Sequence, residues 1–216
     1  MDFERDYILR MIHMLGAMMR RLAERMDDAE RDHQLDLEAR KLCGMPLSTA
    51  ETLDDASLGE LLAPMPRFFM GELFYAKAKA STTLAYGQAD ALLLSALRLL
   101  ASLHAEPRLC DLRAARLAEL KADVFPLLTG DDLFTCARFF AQAEAYDQME
   151  DALFQALALM EGEAWAHNAR QGVRLLRSAA KATGQALALC GMTAEELRAA
   201  AHELDAALIK RTGGSA

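Results

Sequence analysis

The chain has 216 residues, with 24 lysines and arginines against 32 aspartates and glutamates, so its formal charge is −8. That sign repels phosphate backbones unless the bases cluster, and the arginines are spread among acids, so nucleic acid is not an expected partner. No run approaches the about 18 apolar residues that a membrane span needs, and the acid-rich start MDFERDYILRM lacks the pattern of a secretory signal.

Alanine, leucine, methionine, arginine and glutamate dominate and only five prolines interrupt them, which favours helix nearly everywhere and disfavours strands. The expectation is one all-α domain over 1–216, built from about eight to nine helices, in the cytoplasm.

An amino-terminal helical hairpin is expected over 1–44. Apolar residues recur every three or four positions from Phe3 to Met26, forming a stripe wide enough to be buried. Tyr7, Met11, Leu15, Met18 and Leu22 on that stripe are the candidate self-association residues. Charged substitutions at Met11 and Met18 should then turn a dimer into a folded monomer. Asp2, Glu4, Asp6 and Glu24 share the polar side, which weakens attraction to anionic lipid and argues against a membrane role.

Asp27 or Asp28 can cap a second helix that runs to Cys43 and stops at Gly44, with Pro46 beyond. Its Glu30 and His33 form a lone ExxH, which reads as a solvated face because a di-iron bundle needs two such pairs plus two more glutamates. Leu47 to Ala56 reads as a connector. Ser57 with Glu60 suggests a capping box opening a short helix that Pro64 and Pro66 end.

The first repeat, 67–104, is expected as helices of about 67–84 and 88–103. A bridging helix of about 109–123 follows Pro107. Pro126, Gly130 and Asp131-Asp132 mark the next boundary, the acids being read as helix-capping groups. The second repeat, 131–161, is expected as helices of about 131–143 and 147–160. Carboxy-terminal helices over 163–210 complete the chain. The first runs from about Glu163 to Leu189, its continuity in doubt at Gly172 and Gly184, with Trp165 in the core and Glu163 and His167 as a surface ion pair. Thr193 and Glu196 form the capping box of the last helix.

The repeat is the feature that organises the rest. Without a gap, Leu73, Phe74, Ala85, Tyr86, Gln88, Leu93, Ala96, Leu97 and Leu99 face identical residues at 133, 134, 145, 146, 148, 153, 156, 157 and 159. Each copy reads as two helices meeting just before Tyr86 or Tyr146. Ala85, Tyr86, Ala89, Ala96, Ala145, Tyr146 and Ala156 are the expected packing residues: the alanines let axes approach, and the tyrosines turn their rings inward. Tyr146 to Leu159 resembles the second helix of a tetratricopeptide repeat, with Tyr146 opening it and Ala156-Leu157 closing it, while Ala137 and Phe140 stand at that motif's first-helix positions. Met149 replaces a small residue there, and the copies lie sixty residues apart rather than the family's 34. DYILRMIHML and CGMTAEEL further resemble an uncharacterised bacterial family of tetratricopeptide-like proteins of unknown function. The resemblance implies stacked helical hairpins and brings no catalytic residues.

Catalytic constellations do not surface. The sequence lacks a phosphate-binding glycine loop, a dinucleotide fingerprint, a nucleophile elbow, a zinc-protease HExxH and any CxxC. Cys43, Cys110, Cys136 and Cys190 read as reduced, mostly buried core residues. No catalytic, cofactor-binding or metal residue is therefore assigned, and no cofactor. The expected function is a non-enzymatic protein-interaction or scaffold module whose partner is a protein, a peptide or a second copy of itself. The alternative is a small-molecule binder or enzyme with an inter-helix pocket drawn from side chains such as His104, Tyr86 and Tyr146.

Overall fold

The computed structural model describes residues 6–14, 16–17, 27–81 and 84–213. Among these residues there are twelve α-helices, one 3-10 turn and no strand, so the chain is all-α as its composition dictates. Residues 6–14 and 16–17 are helical and are labelled α1. Then come α2 (Asp28–Cys43), α3 (Leu47–Ala50), α4 (Asp55–Leu61), α5 (Pro64–Ala80), α6 (Gln88–Ala101), α7 (Pro107–Asp123), α8 (Gly130–Gln142), α9 (Tyr146–Ala158), α10 (Gly162–Ala179), α11 (Gly184–Leu189) and α12 (Ala194–Gly213). The count exceeds the eight to nine expected. Two short helices, α3 and α4, occupy the 47–63 region, and the single helix expected over 163–189 is broken into α10 and α11.

The chain divides into two compact units. One holds the residues up to Leu100 together with Ala122–Val124; the other holds Ala101–Lys121 together with the residues from Phe125 onward. Residues 67–100 of the first sequence copy lie in the first unit, and the second copy lies in the second.

In the first unit, α2, α3 and α5 pack on one another. Asp27 accepts from the Glu30 amide at 2.8 Å, and Gly44 at φ +80° ends α2, so local hydrogen bonding sets both ends. Leu35 and Ala39 from α2 and Phe68, Met70, Leu73 and Phe74 from α5 are fully buried. Lys77 is buried too; it pairs with Glu51 at 2.7 Å and Asp32 at 3.5 Å. Burial pulls its pKa down, but the hydrogen bond and charge of Glu51 and the charge of Asp32 outweigh this and leave it raised. Gly71 marks the crossing with α6, since a Cβ there would sit 3.1 Å from Leu100 Cγ and 3.4 Å from the Ala96 carbonyl.

In the second unit, α8 and α9 form an antiparallel hairpin. The start of α8 meets the end of α9, where a Cβ on Gly130 would lie 2.7 Å from Met160 Cγ and 3.1 Å from the Ala156 carbonyl. Thr129 caps α8 in a capping box, accepting from the Asp132 amide at 3.2 Å while Asp132 accepts from the Thr129 amide at 3.0 Å. Helix α10 packs on α8, α9 and α12. Its pairing with α12 is antiparallel, because Trp165 meets Arg211 whereas Gly172 meets Leu204. The Thr193 and Glu196 capping box forms as expected, with the Thr193 amide donating to Glu196 at 2.8 Å.

Several sequence expectations need correction. The short helix α4 is capped by Asp54, which accepts from the Ser57 amide at 2.9 Å, so the box expected from Ser57 and Glu60 loses to a carboxylate three residues earlier. Helix α5 ends at Ala80 rather than near 84, with Ser81 already extended at ψ 134°. Gly172 does not interrupt its helix; only the Gly184 break occurs, and Thr183 caps α11 there. The matched tyrosines also part company. Tyr146 opens α9 and is 7% exposed, whereas Tyr86 is 108% exposed and precedes α6. The cause is the left-handed turn residue: it is Glu144 at φ +55° in the second copy and Gly87 at φ +78° in the first, so the second helix begins two aligned positions later in the first copy.

Candidate functional site: an arginine-lined face on α10

Helix α10 is strongly two-sided. Trp165, Ala169, Gly172, Val173, Leu176 and Ala179 follow the helical period and are buried. Glu163, His167, Arg170, Arg174 and Arg177 follow the same period on the opposite side and are exposed. Gly172 holds the buried side tight, since a Cβ there would lie 2.7 Å from Leu153 Cδ1 and 3.2 Å from Leu204 Cδ2. The outer face is therefore presented by a helix fixed from behind.

Two depressions open on this face. The larger, of about 730 Å³, is lined by Glu163, Trp165, His167, Arg170, Arg211 and Thr212 among others. The Arg211 guanidinium from α12 stacks over the Trp165 ring at 4.1 Å, which holds that cation at the groove wall. The smaller, of about 240 Å³, is lined by Arg138 from α8 and by Gln171, Arg174 and Leu175. Gln171 Nε2 and His167 Nε2 lie 2.6 Å apart, joining the two depressions along one turn of helix. His104 is half-buried with its Nδ1 3.3 Å from the Ala101 carbonyl. Burial first, and the Arg138 charge second, lower its pKa below the ordinary imidazole value.

Charge pairing divides the arginines of this face. Arg177 pairs with Asp205 at 2.6 Å. Arg138, Arg170, Arg174 and Arg211 have no ion-pair partner among the described residues. An arginine without a carboxylate presents a planar fork of donors suited to carboxylate or phosphate oxygens. Glu163 and His167, the pair expected to form a surface ion pair, are both exposed and line the larger groove, with no salt bridge between them. They add one carboxylate and one imidazole to the groove wall.

The residues singled out from sequence are dispersed. Ala96, Tyr146 and Ala156 are buried, Ala89 and Ala145 are half-buried, and Ala85 and Tyr86 are exposed, so the last two do not pack. Burial, then the charge of Glu144 and Cys190, raise the Tyr146 pKa. In α1, Tyr7 is 56% exposed and Met11 half-buried; Leu15, Met18 and Leu22 lie outside the described residues. His104, Tyr86 and Tyr146 line neither depression. Glu30 and His33 are both exposed, and among the described residues no group of three or more His, Cys, Asp or Glu side chains could hold a metal. No helix among them is long and apolar enough to cross a membrane.

Sequence reasoning missed the arginine face. Its signal was present as the spacing of His167, Arg170, Arg174 and Arg177, but ion pairing decides which arginines are free, and that depends on neighbouring helices. Compared with protein-family models, with curated proteins and with solved structures, the chain matches none of them.

Proposed function

We propose that this chain is a non-enzymatic protein-interaction module, a tetratricopeptide-like set of helical hairpins whose second unit docks a partner through the outer face of α10. The observation that carries the reading is the set of four arginines, Arg138, Arg170, Arg174 and Arg211, that border two open depressions with no ion-pair partner among the described residues. In a chain with a net charge of −8, such a local excess of positive charge favours a complementary surface on another molecule. The antiparallel α8 and α9 pair, with α10 packed on both, supports the resemblance to a helical repeat.

The test is cross-linking capture from the native cell with the parent chain and with the double variant Arg170→Glu, Arg174→Glu. Both residues are exposed, so the variant should keep the parent's circular dichroism and lose specific partners. Identical captured sets from both chains would refute the reading.

A second reading is self-association through α1, favoured by Tyr7 at 56% and Met14 at 54% exposure, one above the other at a seven-residue spacing. Light scattering on the parent and on Tyr7→Glu, Met14→Glu should give a dimer and a monomer; a monomeric parent at high concentration removes it.

A further inference from the structure

Resting on that reading, we infer that the α10 face binds an acidic peptide segment in extended conformation, with alternate carboxylates seated on Arg170 and Arg174. Four residues of helix rise about 6 Å, so the roots of these two side chains stand that far apart along α10. Alternate residues of an extended chain stand about 6.7 Å apart on one side. A carboxylate at every second position therefore meets one arginine each, and a guanidinium fork takes a carboxylate with two parallel hydrogen bonds. Arg211, held over Trp165 at 4.1 Å, and Arg138 beside Arg174 extend the same positive line at its two ends.

A phosphate backbone is the less favoured occupant. Four arginines give a short track, Glu163 stands in the larger groove, and the Trp165 ring that could stack a base is covered by Arg211. A protein segment tolerates Glu163, because its backbone amides or a basic side chain can donate there.

The experiment is fluorescence anisotropy of the full chain with a labelled peptide alternating glutamate and serine. Three competitors go alongside: its glutamine counterpart, a scrambled peptide with the glutamates clustered, and a single-stranded oligonucleotide. Expected results are salt-sensitive binding of the alternating peptide, weaker binding of the clustered one, and none of the glutamine form. The double variant Arg170→Ala, Arg174→Ala should lose about tenfold or more in affinity. Arg40→Ala, an exposed arginine of α2 that lines neither depression, should match the parent and so controls for loss of charge alone. Tighter binding of the oligonucleotide than of the peptide overturns the proposal in favour of phosphate. Equal binding of the alternating and clustered peptides overturns the register. If no probe binds while captured partners still depend on Arg170 and Arg174, the acidic-segment proposal fails and the broader docking reading stands.

Discussion

Replacing Gly172 with alanine tests whether α9, α10 and α12 cross where the structure puts them. In an ordinary helix interior the change stabilises, because alanine exceeds glycine in helix propensity by about 0.8–1.0 kcal/mol. Here the new Cβ would lie 2.7 Å from Leu153 Cδ1, 3.1 Å from Leu153 Cδ2 and 3.2 Å from Leu204 Cδ2. Favourable carbon contacts lie at about 3.5–4.0 Å, so the overlap approaches an ångström on one side and blocks escape on the other. Leu153 is fully buried and Leu204 nearly so, so neither can swing out into solvent to make room. Overpacking of this kind costs about 1–3 kcal/mol. The net expectation is that the propensity gain is cancelled or outweighed, with a loss of up to about 2 kcal/mol, or as much as roughly 8 °C in Tm for a chain of this size. Urea unfolding followed by fluorescence reads it cleanly, since Trp165, the one tryptophan, lies in α10. Leu153→Ala alone should cost about 2–5 kcal/mol, and combining it with Gly172→Ala should cost less than the sum by about 1 kcal/mol, because the methyl then fills the vacated space. A Gly172→Ala variant more stable than the parent by the full propensity difference, additive with Leu153→Ala, would mean that the helices do not cross at this glycine.

Other expectations follow from particular contacts. Glu144→Gly should stabilise the second unit by about 0.5–1 kcal/mol, since a non-glycine residue at φ +55° sits in a conformation costly for L-residues; an unchanged urea midpoint would contradict the turn geometry. Burial pushes the thiols of Cys43, Cys110 and Cys136 up to about 12. At about pH 8 only Cys190, which is partly exposed, should react quickly with a thiol reagent, and all four should react in denaturant. His104, with a folded pKa lowered from 6.5, stays neutral while the unfolded chain takes up a proton. Stability should therefore fall as pH drops from about 6.5 to that lowered value and level off below it. Arg138→Gln should raise the His104 pKa in an NMR titration and lessen the acid loss, whereas an unmoved resonance would place Arg138 too far away to act.

Features settled by short-range hydrogen bonding and chain stereochemistry were legible in the residues. Asp27 and Gly44 bound α2, the box of Thr193 and Glu196 precedes α12, and Gly184 marks a true break. Each of these depends on atoms within a few residues, so residue type nearly fixes the outcome. Two identical tyrosines in matching contexts did not share a fate, because shifting the left-handed residue from Glu144 to the position of Gly87 moves the helix start past the tyrosine.

Composition and periodicity by themselves determined that this protein is all-α and where most of its helices begin and end, since those properties follow from propensity, capping and the 3.6-residue repeat. Tertiary structure alone decided that Gly172 is a crossing point rather than a breaker, that Tyr146 is buried while Tyr86 is exposed, and that Arg177 finds Asp205 while Arg170 and Arg174 find no acid among the described residues. These outcomes depend on which side chain from another helix arrives within a few ångströms, and a spacing along one helix carries no record of its neighbours.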